Sequence, residues 1–301
     1  MTGPLILDEG IWPDIPEAIY HADPLPLPSL SSSVCKEIVD RSPAHAKQMH
    51  VRLTPQEPPK PSPDRDLGSA IHALTFGGAA VSVFEADDWR TKAAQEHRKE
   101  CYASGRIPLL PDQLERAQAV AAIVRPRISR LVGDDYLPEV TLAWRDRGAW
   151  CRTRVDALSR DLAHVVDLKT SGAGTSPQEV TRRFFSESHD IQSGFISRGL
   201  DALDKPGTGR RTFHFVYVEN EAPFGCTVLD IPESVMSFAR RKVRVGIDLW
   251  RRSMASDDWP GYPAASVIAE MPAWAEQSWM TREQNDSTIK AIIAEFGAAV
   301  K

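Results

Sequence analysis

The sequence predicts an α/β protein: a mixed central β-sheet flanked by helices, with further helical segments at both ends. Three observations carry this. Alternating polarity at residues 137–145, 151–158 and 164–170 reads as three successive strands. The runs TFHFVYVE at 212–219 and FGCTVLDI at 224–231 read as a hairpin turning around 220–223. Amphipathic helical stretches at 66–76, 112–132, 190–203 and 233–254 are interleaved with these strands.

At 301 residues, 42% hydrophobic and 26% charged, the chain has the composition of a globular protein able to bury a sizeable core. No apolar run approaches the ~20 residues that a membrane helix needs. The stretch MTGPLILDEGIWPD lacks the basic region and long apolar run of a signal peptide, so a cytoplasmic location is expected. Cys35, Cys101, Cys151 and Cys226 are scattered without C-x-x-C spacing, which points to reduced core residues, not to a zinc site or a disulfide framework. The net charge of -5 is low for a protein that grips phosphates, yet basic residues gather locally. The clusters are Arg145, Arg147, Arg152 and Arg154; Arg182-Arg183; Arg210-Arg211; and Arg240-Arg241-Lys242 with Arg244. Each is either a solvated helix face or part of a basic channel.

Taken in order, residues 1–28 contain Pro13, Pro16, Pro24, Pro26 and Pro28 and read as an extended arm, wrapping a neighbour or mobile. Residues 29–41 suit a short helix with serines available as N-cap, ending before Ser42-Pro43. The proline cluster TPQEPPKPSP at 54–63 is a loop. Over 66–76 the stripe is Leu67, Ala70, Ile71 and Leu74, and His72 lies one turn after Gly68, where the missing side chain admits another backbone or a substrate strand beside the imidazole. Alone, His72 reads as a hydrogen-bonded structural residue; beside paired carboxylates it reads as a metal ligand or a metal-orienting group.

Residues 77–110 show no strong periodicity apart from a charged helix around Ala93. The helix at 112–132 is given Asp112 as N-cap, with Glu115 three residues on and a kink at Pro126. In the strand at 137–145, Glu139, Thr141 and Ala143 share one face while Val140, Leu142 and Trp144 share the other. Glu139 is a surface acid or the upstream acidic member of a site.

The run CRTRVDALSRDLAHVVDLKT at 151–170 is the centre of the chain, two strands joined through S-R-D-L. Side chains alternate along a strand, so Val165, Asp167 and Lys169 project to one face and Val166 and Leu168 to the other. If the strands pair, Asp156 lies beside Asp167, and two carboxylates with one ammonium make a site for a hard divalent cation and an activated water. An exposed salt bridge is the plain alternative, but a carboxylate in so apolar a strand needs a cation or a partner. Downstream, Ser176-Pro177-Gln178-Glu179 is a capping box opening a helix with Val180 and Phe184. The next helix, from about Asp190, turns Ile191, Phe195, Gly199 or Leu200, and Leu203 inward. Gln192 borders that stripe, where its amide holds a substrate phosphate or Lys169, or simply faces solvent. Trp274, Trp279 and the periodic tail at 287–300 form a peripheral helical region. The expected division is an arm and first helix at 1–63, a core at 64–255 and a C-terminal helical extension at 256–301.

The R-x-D strand ending at Asp156, the D-L-K-T run from Asp167 and the glutamine-bearing helix together resemble the PD-(D/E)XK nuclease superfamily. Within it the similarity is to the exonuclease VIII (RecE-type) branch of phage and prophage recombination nucleases. The G-x-x-x-H spacing of Gly68 and His72 is similar to the helix of the RecB-like branch, and L-S-S-S followed by S-P-A-H-A-K is similar to that branch's opening segment. The resemblance spans roughly residues 29–205. One position departs from it: the family often has a tyrosine four residues after the glutamine, and here Ile196 stands there. The resemblance implies a restriction-endonuclease-like core with Asp156, Asp167, Lys169 and Gln192 catalytic. It implies Mg²⁺ or Mn²⁺ held by His72, Glu139, Asp156, Asp167 and the Leu168 carbonyl, with no organic cofactor. It further implies 5′ to 3′ degradation of linear double-stranded DNA ends, single strands passed to a single-strand annealing recombinase, and a closed homo-oligomer. Two other classes stay open: a DNA-binding or structural protein that kept the fold without turnover, and a metal-dependent hydrolase of RNA or nucleotides.

Overall fold

The computed structural model describes residues 5–13, 15–56, 62–204 and 211–299. Residues 57–61 of the proline-rich loop, Arg210 and Val300 lie outside the described residues. The chain divides into two units, Met1–Gly261 and Tyr262–Lys301.

In the first unit the elements run β1 (Gly10–Trp12), α1 (Glu17–His21), β2 (Leu30–Ser31), α2 (Ser32–Asp40), α3 (Pro43–Met49), α4 (Pro63–Phe76), β3 (Val81–Val83), α5 (Lys92–Ala103), β4 (Ile107–Leu109) and α6 (Pro111–Val132). They continue with β5 (Tyr136–Asp146), β6 (Ala149–Ser159), β7 (His164–Ser171), α7 (Pro177–Ser186), α8 (His189–Leu203), β8 (Thr212–Glu219), β9 (Cys226–Ile231) and α9 (Glu233–Ser256). The second unit holds α10 (Ala273–Asn285) and α11 (Ser287–Ala299). No helix among the described residues is long and apolar enough to cross a membrane.

Among the described residues seven strands form one mixed sheet in the order β1-β5-β6-β7-β8-β9, with β2 on β6, and β3 pairs with β4 separately. The α/β architecture expected from the alternating segments is therefore present. Only β7–β8 and β2–β6 are parallel in the main sheet. Because β5 lies along one edge of β6, the other edge is shared: β7 takes it at Ala157 and Leu158, and β2 takes it at Cys151 and Arg152. Between those contacts β6 and β7 diverge, leaving a fork in the sheet.

Two helical layers bury the two faces. On one side α2, α7, α8 and α9 pack Phe184, Phe195, Val243 and Trp250 against Val140, Trp144, Val165 and Phe215. On the other, α4 and α6 pack Leu67, Ile71, Val124 and Ile128 against Val166, Leu168 and Val216. The assignment of Val165 and of Val166 with Leu168 to opposite faces matches the alternation read from the sequence. That alternation slips by one residue at a single row. Leu137 and Val140 face the same layer, and Val155 faces it while Ala157 faces the other, so Glu139 on β5 and Asp156 on β6 sit at the slip.

Several expectations are corrected. The described part of the proline-rich N-terminal segment packs on its own sheet: β1 pairs with β5, and Ile6, Ile15 and Leu25 are buried with Ala143 and Trp150. Its prolines forbid a long helix, but the apolar residues between them still bury. Helix α6 starts at Pro111, and the Leu110 N–H is taken by the Gln113 side chain at 2.9 Å, so the expected Asp112 cap with Glu115 does not form. Pro126 lies inside that helix, at the place where the kink is expected. Short elements α3, β3 and β4 escaped the periodicity reading, while the Ser176–Glu179 capping box is as read.

Helices α8 and α9 touch through Gly194: a Cβ there would lie 2.8 Å from the Ala239 carbonyl carbon and 2.9 Å from its oxygen. Gly194→Ala should therefore destabilise the fold by about 1–3 kcal/mol despite alanine's better helix propensity. The readout is a lower urea midpoint with an unchanged slope; a midpoint at or above wild type refutes the close contact.

Candidate active site

The fork places three strands' acids in one row. Pro138 pairs with Ala157 and Val140 with Val155, so Glu139 falls opposite Asp156; Ala157 pairs with Val166, so Asp167 falls opposite Asp156 on its other side. Beyond Ala157 the backbone ladder between β6 and β7 stops, and the Leu168 N–H donates instead to Asp156 Oδ2 at 2.8 Å. Glu139 adopts φ +49°, the left-handed region that non-glycine residues rarely visit, and this turns its carboxylate out of the regular pleat.

His72 approaches from α4. Gly68, one turn earlier, meets the Thr170 side chain, to which a Cβ would come within 3.2 Å, so the glycine serves the packing of α4 on β7 and does not face the imidazole. His72 Nε2 donates to the Leu168 carbonyl at 3.1 Å, which leaves Nδ1 facing Glu139 Oε1 and Asp156 Oδ2, each 3.8 Å away. One ligand atom from each of the three residues lies within 4.8 Å of the other two. Glu139 is fixed from behind by Arg154, which donates to its second oxygen and, through Nη1, to the Ile15 carbonyl at 3.1 Å.

Lys169 and Gln192 meet on the α8 side of the fork. Lys169 Nζ lies 2.6 Å from Asp167 Oδ1 and donates to Gln192 Oε1 at 3.0 Å, while the Gln192 amide nitrogen donates to Asp167 Oδ2. Asp167 is nearly fully buried, and Oδ1 receives no well-angled hydrogen bond beyond that ion pair, so a buried carboxylate oxygen keeps acceptor capacity. All seven residues singled out by the sequence thus lie at the fork. Asp167 stands outside the three-residue cluster because Lys169 and Gln192 engage its carboxylate, and the Leu168 carbonyl already accepts from His72.

The electrostatics follow from crowding. Burial raises the Asp156 pKa, Asp167 adds to it and His72 opposes it, leaving a value of about 7. Burial works against the His72 imidazolium, but Asp156, Glu139 and Asp167 outweigh it and lift its pKa to about 9. Burial likewise disfavours the Lys169 ammonium, yet Asp167 and Asp156 hold its pKa above the ordinary lysine value. Sequence reasoning missed His189, which donates to or accepts from the Tyr217 hydroxyl at 2.7 Å. Burial, followed by the charges of Lys169, Lys36 and Arg183, pushes its pKa down to about 2. Nothing in its sequence neighbourhood marks it.

The donor set fits a divalent cation. An imidazole nitrogen and two carboxylate oxygens converge on one space that the His72 proton faces, and three acids are crowded enough to hold a proton on Asp156 near neutrality.

The chain belongs to the family described as PDDEXK-like domain of unknown function (DUF3799), whose profile matches residues 31–268. Among solved structures it is similar to a "Putative exonuclease" from Eubacterium rectale, with a TM-score of 0.53 and 11% identity over 83% of this chain and 93% of that one. A phage related exonuclease from Haemophilus somnus aligns with a TM-score of 0.35 and 11% identity, covering 76% of this chain and 96% of that chain. No curated protein matches the sequence. The fold is that of the PDDEXK nucleases, a mixed sheet between helices, and the chain is a member of that superfamily.

Cation binding should release protons, because His72 must lose one to present Nδ1 and Asp156 is about half protonated at pH 7. Calorimetric titration with Mn²⁺ at pH 7, in buffers of different ionisation enthalpy, is expected to give about one to two protons per ion, falling towards zero above pH ~9. An enthalpy independent of buffer at pH 7 would contradict this reading of the two residues.

Proposed function

We propose that the protein is a metal-dependent exodeoxyribonuclease that hydrolyses the phosphodiester bonds of linear double-stranded DNA from an end, 5′ to 3′. The observation that carries this is Lys169, held by Asp167 and Gln192 at the rim of the His72, Glu139 and Asp156 cluster. His72, Glu139, Asp156 and Asp167, with the Leu168 carbonyl, are the residues that would hold Mg²⁺ or Mn²⁺. When bound, such a cation supplies positive charge to the phosphodiester and lowers the pKa of water.

The chain's own residues do the rest. Two of the three Lys169 N–H groups point to Asp167 and Gln192, which leaves one to orient the attacking water. With its pKa raised, Lys169 stays an ammonium at neutral pH, so it orients water and stabilises charge as that charge develops, and does not abstract the proton. Gln192 bridges Asp167 and Lys169 and so fixes where the ammonium points. Lys36, beside His189, adds to the positive field that a polyanionic substrate needs, while the Arg183 charge is met by Glu187 at 3.1 Å. The reading extends to a cytoplasmic, closed homo-oligomer whose single-stranded product passes to an annealing recombinase.

End-labelled linear and covalently closed duplexes, incubated with and without Mg²⁺, test the whole reading. Release of label from the linear duplex only, and only with the ion, is expected; efficient cutting of closed circles sinks the exonuclease assignment. Lys169→Ala should lower the single-turnover rate by roughly 10² or more while duplex and cation affinities stay within a few fold. A rate near wild type at saturating Mg²⁺ removes Lys169 from the mechanism.

A further inference from the structure

The exposed side of α9 is unlike the rest of an acidic chain. Residues 233–256 hold six basic residues against two acidic ones, five of the six being arginine, in a protein of net charge -5. Arg241, Arg244 and Arg252 fall within one stripe at helical spacing, with Phe238 and Val245 beside them, 59% and 53% exposed. The Arg241 guanidinium lies 4.3 Å from the Phe238 ring centre. The Arg244 and Arg252 guanidiniums make no hydrogen bond or ion pair to any described residue. The acid of the stripe, Asp248, is bridged by Arg147 at 2.7 and 3.0 Å, which adds a cation and removes the local negative charge.

The flank of α9 between this outward stripe and the buried face is tied to α8, the helix that carries Gln192. Lys242 Nζ donates to Asp190 Oδ2 at 2.6 Å, in the first turn of α8, and Gln192 two residues later holds Lys169 and Asp167. Guanidinium groups match phosphate oxygens in a planar fork, and two isolated apolar side chains are too few to enter a lipid surface.

We propose that the outer face of α9 carries the phosphate backbone of the duplex that leads into the site, an inference that rests on the nuclease reading above. Unpaired guanidiniums one to three turns apart, spaced along a rigid helix, neutralise successive phosphates without reading sequence.

The test is duplex binding by the full chain without divalent metal, followed by fluorescence anisotropy across a salt series. The triple variant Arg241→Ala/Arg244→Ala/Arg252→Ala is expected to bind roughly tenfold more weakly at ~0.1 M salt, with the slope of log K against log salt reduced by about 2–3. Should the triple variant fail to fold, each single variant is expected to reduce the slope by about one. Affinity within twofold of wild type and an unchanged slope overturn the proposal. So does loss of binding to phosphatidylserine vesicles with duplex binding intact, which would assign the face to a membrane. Cleavage assays separate the two readings: a wild type that cleaves DNA beside a variant with unchanged binding leaves the nuclease standing and removes the α9 surface. A wild type that binds duplex through these arginines but never cleaves it leaves the surface standing and removes the nuclease.

Discussion

Where β6 and β7 part, the Asp156 carboxylate accepts the Leu168 N–H, a bond that a strand carbonyl makes in a continuous ladder. A buried amide left without an acceptor would cost about 1–3 kcal/mol, so the fork can open only because a side chain closes it. The opening then does the rest. It lets α4 reach in from one layer with His72 and α8 from the other with Gln192, so groups from both sides of the sheet meet at one point. A sheet continuous through this row would keep the two layers apart.

Each acid at the fork has a cation beside it: Glu139 has Arg154, Asp167 has Lys169, and Asp156 has His72, which Glu139 shares. Buried charges demand such pairing, since removing one partner leaves an uncompensated ion. The three pairs are not equivalent. Arginine keeps its proton at any physiological pH and Lys169 is held further into its charged form, whereas the imidazole can give its proton up. In the proposed function His72 is therefore the cation that a bound metal would replace, leaving Arg154 and Lys169 in place.

The N-terminal segment belongs to this arrangement. Arg152 donates to the Ser29 carbonyl and hydroxyl and lies 3.0 Å from Asp23, while Arg154 donates to the Ile15 carbonyl. Both guanidiniums also lie over the Tyr20 ring. A stretch that composition suggested was a free arm thus fixes the arginine that fixes Glu139.

Alternation along the strands, the helical stripes, the Ser176 capping box and the placement of Asp167 with Lys169 on one face were all legible in the chain, because each depends on neighbours within a few residues. So was the pairing of Asp156 with the row of Asp167, since a short turn leaves little freedom of register. The slip of alternation at Glu139 and Asp156 was not legible. A left-handed residue at Glu139 and a ladder that stops after Ala157 are held by groups far away in sequence, among them His72, Arg154 and the layers that grip β5 and β7. His189 escaped for the same reason, its surroundings being Tyr217, Lys36, Arg183 and Lys169. Local periodicity by itself determined which side chains share a face; only the tertiary structure decided which face opens, because that depends on where two strands part and which helices fill the gap.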